Sequence, residues 1–193
     1  MPRKPATSPR KPRTAAKRNV QRATPPKGAE WQWEKLTGPD FDRAVVAAKR
    51  TCILPIGVIE RHGRHLPLGA DLLLAIEHAR RAVALEPAVI FPPFYFGQCH
   101  ESKNRPGAIA LDGDLLFALL ENVCREIHRN GFEKIIILNG HGGNEYILPY
   151  FAMRQLEQPR GYTVYVLRLG DYFVPGNDPQ WQKLRASRVP DDY

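Results

Sequence analysis

Hydrophobic residues from position 51 onward fall into short apolar runs that alternate with longer stretches of helical periodicity. Four apolar runs predict β-strands, at residues 51–60, 88–93, 134–139 and 162–169. Three periodic stretches predict helices, from Asp71 to near Pro87, over residues 111–131, and from Asn144 onward, and residues 171–193 turn irregular. Because strands alternate with helices, the pattern is typical of βαβ units and predicts an α/β fold with a mostly parallel sheet.

The same pattern indicates which faces of these elements are buried. Runs 51–60 and 134–139 are apolar throughout and predict strands that are covered on both faces. In the second predicted helix, Asp112 or Asp114 can cap the start and Gly131 can end it. The apolar stripes are Leu72, Ile76, Ala79 and Val83 in the first helix, and Leu116, Leu119, Leu120, Val123 and Ile127 in the second.

The amino-terminal segment differs from the rest in composition. Residues 1–28 contain nine Lys/Arg, no acidic residue and six of the eighteen prolines, so we expect a disordered basic tail. Residues 29–193 hold the other 19 basic side chains against 20 acidic ones and form the predicted domain. The basic charge therefore belongs to the tail, which predicts nonspecific contact with nucleic acid or an anionic surface. A solvated extension without a partner is the alternative.

Length, hydropathy and cysteine spacing narrow the class of protein. A chain of 193 residues, 43% of them hydrophobic, can bury one substantial core. No apolar stretch reaches the length of a membrane span, and the tail lacks the apolar segment of a secretory signal, so we expect a cytoplasmic protein without membrane contact. An Arg-rich transit peptide is the alternative, although the prolines oppose an amphipathic helix. Three widely spaced cysteines, Cys52, Cys99 and Cys124, suit reduced thiols rather than a disulfide framework.

Polar side chains with metal-binding chemistry follow two of the predicted strands. Glu60 and His62 are two residues apart at the end of the first strand, so they point to one side if strand geometry persists. Asp71 begins the next helix, where a role as N-cap is the alternative, and His141 follows the third strand between glycines. Ligands of open parallel sheets bind beyond the carboxyl ends of the strands. The four side chains form a candidate site for Zn²⁺, Mn²⁺ or Fe²⁺.

The other histidines have ordinary structural roles open to them. His65 can hydrogen-bond a loop carbonyl, and His100 beside Glu101 can line the pocket or serve only the loop. His78 and His128 fall on helix faces that are predicted to be exposed, and we expect them to be inert. The metal site is favoured by four ligand-type residues at two strand ends rather than by any one residue.

Three other chemistries have weaker support. The segment NGHGGN follows a strand as a phosphate-binding loop does, but it lacks the G-x-G-x-x-G spacing and a following Lys-Ser/Thr pair. Outside the tail the only serines are Ser102 and Ser187, and neither lies in a nucleophile elbow. Cys99 and His100 are adjacent, and adjacent side chains of an extended chain point apart, which disfavours a Cys–His pair.

Several segments, in order, resemble the creatininase (creatinine amidohydrolase) family. They are LPIGVIERHGRHLPLGAD, FPPFYFGQ, RPGAIAL and GFEKIIILNGHGGN, between about Leu54 and Asn144. The family pattern is an E-x-H-G-x-H-L-P segment with a following aspartate, a P-G-T-I-like segment and N-G-H-G-G-N. The resemblance implies a three-layer α/β/α fold, a homo-oligomer, and hydrolysis of C–N bonds in small cyclic or linear amides. It also implies one or two divalent metals per chain.

The resemblance assigns roles to individual residues. It implies that Glu60 and His141 bind one metal, that His62 binds a second, and that the Asp71 carboxylate bridges both. These four residues would then carry catalysis through metal-bound water. The residues expected around them, in contact with these side chains or with substrate, are His65, His100, Glu101 and Asn144.

Two positions depart from the family pattern. Gly143 replaces a glutamate ligand of creatininases proper, and Ala108 replaces the threonine of P-G-T-I, which removes a pocket hydrogen bond. Relatives with glycine at the first position resemble this chain more closely and tend to draw a carboxylate from a C-terminal H-A-G-x-x-E-T-S-like segment, which this sequence lacks. We therefore expect a C-terminally incomplete domain, a single metal, or a substitute carboxylate from Glu145, Glu101 or Asp171.

Two hypotheses about function follow. The first is an oligomeric, metal-dependent amidohydrolase that acts on a small amide. The second is a non-catalytic or fragmentary metal-binding relative whose basic tail mediates interactions. The sequence identifies neither the substrate nor the native metal, because divalent ions compete for similar ligands.

Overall fold

Four parallel strands form the centre of the structure, a computed structural model that describes residues 30–169. The strands are β1 (Thr51–Ile56), β2 (Val89–Ile90), β3 (Lys134–Asn139) and β4 (Thr163–Arg168). The helices are α1 (Gly38–Ala47), α2 (Ala70–Val83), α3 (Gly113–Arg129) and α4 (Ile147–Arg154). The order of strands in the sheet is β2-β1-β3-β4, and all pairs are parallel, which confirms the predicted α/β fold.

The strand order creates a crevice between β1 and β3. From β1 the chain crosses through α2 to β2 on one side, and from β3 it crosses through α4 to β4 on the other side. Because such crossovers are right-handed, α2 and α4 lie on opposite faces of the sheet. Chains that leave neighbouring strands in opposite directions open a space beyond the carboxyl ends of those strands. In this protein the space lies next to Ile56 and Asn139, which are paired at the ends of β1 and β3.

Three predicted strands are longer than the observed ones. β1 ends at Ile56 rather than at residue 60, and its last residue forms an isolated parallel bridge with Phe94, in which the N–H of Gly57 donates to the Phe94 carbonyl. β2 has two residues instead of six, since Pro92 and Pro93 have no N–H group to donate to a neighbouring strand. The strand predicted at 162–169 is confirmed with one residue fewer at each end.

The burial of β3 also differs from the prediction. Its side chains alternate between half-buried and buried, so only one face is fully covered. The covered face carries Ile135 and Ile137, which belong to the main hydrophobic core, whereas Ile136 and Leu138 on the other face are only partly buried. The reason is that α2 packs mainly on β1 and leaves the β3 side of that face partly open within the described residues.

The helices follow their predictions with small shifts. The Asp112 carboxylate caps α3 by accepting hydrogen bonds from the N–H groups of Asp114 and Leu115 at 3.0 and 3.2 Å. Gly131 follows the helix with φ 103°. The side chains that α3 buries are Leu116, Leu120, Cys124 and Ile127. In α2 the buried stripe contains Ala75 where Ile76 was predicted, because the helix passes close to Gly140 at this point. The other three predicted residues of the stripe are buried. The last helix begins three residues later than predicted, after a 3₁₀ turn at Gly142–Asn144.

Other sequence predictions concern the environment of the chain. All three cysteines are buried and free, which agrees with the expectation of reduced thiols. Among residues 30–169, no helix combines the length and the apolar composition that a membrane crossing requires. The predicted basic tail and the irregular stretch 171–193 lie outside the described residues, so both stay predictions.

Candidate metal centre

The four side chains predicted as metal ligands meet at the carboxyl ends of β1 and β3. Asp71 places Oδ1 3.0 Å from Nε2 of His62 and Oδ2 2.7 Å from Nδ1 of His141. Oε1 of Glu60 lies 3.4 Å from the same nitrogen of His62 and 3.1 Å from the same nitrogen of His141. Each carboxylate therefore contacts both imidazoles. Three of the four side chains are nearly buried, and His62 is the most exposed at 29%.

The backbone around β1 and α2 explains why these side chains converge. After β1 the loop is held on both sides, since the Glu60 N–H donates to the Leu68 carbonyl and the Ile59 carbonyl accepts from Ile109. Gly69 is the N-cap of α2, so Asp71 lies in the first turn and does not cap the helix. Its side chain is thereby free to point at the imidazoles.

Two asparagines hold the segment that carries His141. Oδ1 of Asn139 accepts from the His141 N–H at 3.1 Å, and its Nδ2 donates to the His141 carbonyl at 2.9 Å. Asn144 donates to Asn139 Oδ1 at 3.2 Å and accepts from the Gln98 N–H at 2.8 Å. The Gln98 carbonyl lies 2.8 Å from Nε2 of His141. Asn144 is completely buried, so it positions this segment and does not face the crevice.

A second set of contacts orients the Glu60 carboxylate. Its Oε2 accepts a hydrogen bond from Oγ of Ser102 at 2.5 Å and one from Sγ of Cys99 at 3.5 Å. Burial and the negative charge of Glu60 raise the pKa of Cys99 to about 11, so the thiol keeps its proton and acts as a donor. With Oε2 held in this way, Oε1 faces the histidines. The Cys–His pair is not formed, because His100 is exposed and its Nε2 lies 2.8 Å from the Leu111 carbonyl.

The surroundings of His141 favour positive charge at its ring. Burial alone would lower the pKa of His141, but the hydrogen bond with Asp71 and the charges of Glu60 and Asp71 outweigh burial. Together with the Gln98 carbonyl they raise the pKa above its ordinary value of 6.5. A proton or a metal ion at the same place would satisfy these carboxylates.

Two groups of side chains have the composition of a metal site. The ligand atoms of Glu60, His62 and Asp71 lie within 4.8 Å of one another, and so do those of Glu60, Glu101 and His141. Nitrogen and oxygen atoms bound to one tetrahedral zinc ion are about 3.4 Å apart, so side-chain movements of roughly 1 Å would suffice. Within the described residues, the buried Nδ1 of His62 has no hydrogen-bond partner, while its Nε2 is the nitrogen that faces the two carboxylates. Imidazole nitrogens and carboxylates together suit Zn²⁺, Mn²⁺ or Fe²⁺.

The other histidines lie outside these two groups. His65 is exposed on the loop after β1. Nδ1 of His78 lies 2.9 Å from the Leu74 carbonyl of its own helix. The prediction that His128 is exposed is wrong, because its ring packs on Tyr162 at 5.3 Å and its Nδ1 lies 2.8 Å from a backbone carbonyl. A structural role for His128 agrees with the expectation that it is inert.

Three carboxylates were expected as substitutes for a side chain at Gly143. Oε1 of Glu101 lies 3.7 Å from Nε2 of His141, so Glu101 is next to the site. Glu145 accepts a hydrogen bond from Arg168 and is held by that contact. Asp171 lies outside the described residues.

Sequence comparison relates the chain to characterised hydrolases. The creatinine amidohydrolase of Pseudomonas putida is 27% identical over 148 residues, which are 72% of this chain and 57% of that protein. The mycofactocin precursor peptide peptidase of Mycolicibacterium smegmatis is 34% identical over 98 residues, which are 48% of this chain and 39% of that protein. The 3-dehydro-scyllo-inosose hydrolase of Thermotoga maritima is 29% identical over 98 residues, or 50% of this chain and 31% of that protein.

Solved creatininase structures have the same fold. The structure named "Creatininase Mn" superposes with a TM-score of 0.69 and 25% identity, over 84% of this chain and 66% of its own. A creatininase mutant of the Zn-Zn type gives a TM-score of 0.68 at 25% identity over the same shares of the two chains. The chain thus spans a little over half of the Pseudomonas putida protein and about two thirds of the solved structures. The family model described as creatinine amidohydrolase matches residues 34–188, and the chain therefore belongs to the creatininase family.

Proposed function

We propose that this protein is a metal-dependent hydrolase that cleaves a C–N (amide) bond of a small cyclic or linear amide. The observation that carries the proposal is the Asp71 carboxylate, which presents one oxygen to each of two imidazoles at 3.0 and 2.7 Å. This is the arrangement expected of a carboxylate between two cations. Two of the relatives are named an amidohydrolase and a peptidase, and both names denote cleavage of amide bonds.

In this proposal four side chains hold one or two divalent ions per chain. Glu60 and His141 would hold one ion and His62 the second, and Asp71 would be shared between them. The donor set fits Zn²⁺, Mn²⁺ or Fe²⁺, and the names of two neighbouring structures mention zinc and manganese. When bound, such ions supply a nucleophilic water of lowered pKa and polarise the carbonyl under attack.

Other residues of the chain orient the proposed metal ligands. The Gln98 carbonyl fixes the ring of His141, while Ser102 and Cys99 fix Glu60, so the ligands are oriented before substrate binds. Side-chain exposure rises from 4% at His141 to 29% at His62. Substrate therefore approaches from the side of the loop after β1, with His65 and His100 at the rim of the crevice. A cytoplasmic homo-oligomer is part of the same proposal.

Metal content tests the proposal first. The purified, untagged chain should retain one or two ions when it is measured by elemental mass spectrometry. Glu60→Gln and His141→Ala should each lose metal while circular dichroism shows that the fold persists. His100→Ala is the matched control, because that histidine bonds to a backbone carbonyl outside the ligand groups. Full metal retention in both site variants would refute the ligand assignment.

Activity is the second test. The metal-loaded protein should release an amine or open a ring when it is incubated with a panel of lactams and linear amides, and a chelator should stop the reaction. Metal retention without turnover of any member of a broad panel would instead favour a non-catalytic metal-binding relative.

A further inference from the structure

The side of His141 that faces away from Asp71 is bounded by a third carboxylate. Oε1 of Glu101 lies 3.7 Å from Nε2 of His141. The ligand atoms of Glu60, Glu101 and His141 all lie within 4.8 Å of one another. Because Nε2 faces the Gln98 carbonyl at 2.8 Å, the ion would lie at Nδ1 with Glu60. The Glu101 side chain is 51% exposed, so it can swing toward Glu60 to reach that ion.

Gly143 provides the space that the Glu101 carboxylate occupies. A β-carbon at Gly143 would lie 2.6 Å from Oε1 of Glu101 and 2.5 Å from Nε2 of His141, closer than real β-carbons approach other atoms. The neighbouring Gly142 is different, because a β-carbon there would have no atom within 4 Å. Glycine at position 143 therefore leaves room for the His141 ring and for the Glu101 carboxylate beside it.

The 3₁₀ turn His100–Ser102 fixes Glu101 relative to the site. The next residue in this turn, Ser102, donates to Oε2 of Glu60 at 2.5 Å. The turn is therefore anchored to one candidate ligand while it presents a second carboxylate beside His141. Glu145, the other described carboxylate near this segment, is held by Arg168 instead.

Resting on the proposed function, we infer that Glu101 is a metal ligand that completes, with Glu60 and His141, the set around one ion. Its charge has a role as well as its oxygen. Two divalent ions bring four positive charges, of which Glu60 and Asp71 offset two, and Glu101 offsets a third. The ion beside His141 depends on Glu101, whereas the ion beside His62 does not.

Glu101→Gln is the most informative variant, because it keeps the shape of the side chain and removes its charge. The full-length chain is loaded with Zn²⁺ or Mn²⁺, ions are counted by elemental mass spectrometry, and affinity is measured by chelator competition. Glu101→Gln should lose one ion per chain or bind it about tenfold or more weakly. Glu145→Gln, the matched control, should bind as the wild type does.

A pair of glycine variants tests the close packing at position 143 on which the inference rests. Gly143→Ala should weaken metal binding at least as much as Glu101→Gln, since its β-carbon would displace Glu101 and press on His141, whereas Gly142→Ala should not. Wild-type ion number and affinity in Glu101→Gln would overturn the inference, because Glu101 would then be only a neighbouring charge. A wild-type chain without any metal would overturn the proposed function itself, so the two failures are distinguishable.

Discussion

Replacing Gly140 by alanine should separate α2 from the strand end that it crosses. A β-carbon at this position would lie 2.4 Å from the carbonyl oxygen of Asp71 and 3.1 Å from Cβ of Ala75. Because non-bonded heavy atoms normally lie at least about 3.5 Å apart, the helix must move by roughly 1 Å. Overpacking of this kind costs about 1–3 kcal/mol of folding free energy. For a domain of this size, that loss lowers Tm by roughly 2–12 °C.

The same displacement also changes the candidate metal site, because Asp71 lies in the first turn of α2. Moving Asp71 would lengthen its 2.7 Å contact with His141, so metal affinity should fall by about tenfold or more. Thermal unfolding in the presence of a chelator measures the loss of stability, and chelator competition measures the loss of affinity. Gly142→Ala is the matched control, since nothing lies within 4 Å of its β-carbon. If Gly140→Ala matched Gly142→Ala in both measurements, the close approach of α2 to β3 would be refuted.

Three further predictions concern Glu60, His141 and the tail. Ser102→Ala removes the hydroxyl that holds Oε2 of Glu60, so chelator competition should show about 10–100-fold weaker metal binding; unchanged affinity would mean that Glu60 is oriented without it. In the metal-free protein the raised pKa of His141 stabilises the fold fully below the ordinary value of 6.5, and this contribution is lost as the pH rises through the raised value. Tm measured in the presence of a chelator should therefore fall as the pH rises through that window. If His141→Gln gave the same dependence of Tm on pH, His141 would not be the group responsible. Binding to nonspecific DNA should weaken with salt and vanish when residues 1–28 are removed, and binding that survives the deletion would exclude the tail as its cause.

Much of the architecture could be predicted because its signals are local. Alternation of apolar runs with periods of about 3.6 residues indicates βαβ units, and parallel strands bring their carboxyl ends to one edge. These two rules were sufficient to place Glu60 and His141 near each other without any knowledge of the contacts between them. Strand ends were less predictable, since β1 ends where Gly57 bonds to a segment nearly forty residues away.

The contacts that orient the ligands could not be predicted from the pattern. Ser102 and Cys99 bond to Glu60 across 42 and 39 positions of the sequence, and nothing local marks either residue as its partner. The contact between the Gln98 carbonyl and His141 uses a backbone atom, which every residue has. The paired asparagines of NGHGGN were visible, but the hydrogen bond that Asn144 donates to Asn139 depends on the 3₁₀ turn that ends at Asn144.

The topology explains why one segment, residues 94–107, supplies so many of these contacts. The chain leaves β2 at its carboxyl end and must pass through α3 to reach β3, which lies on the far side of β1. The connection before α3 therefore starts at the edge of the sheet where β1 and β3 also end. Gln98, Cys99, Glu101 and Ser102 contact His141 or Glu60 from this connection. Since the strands place the candidate ligands and this segment orients them, substitutions of Glu101 and Ser102 should change metal affinity while leaving the sheet intact.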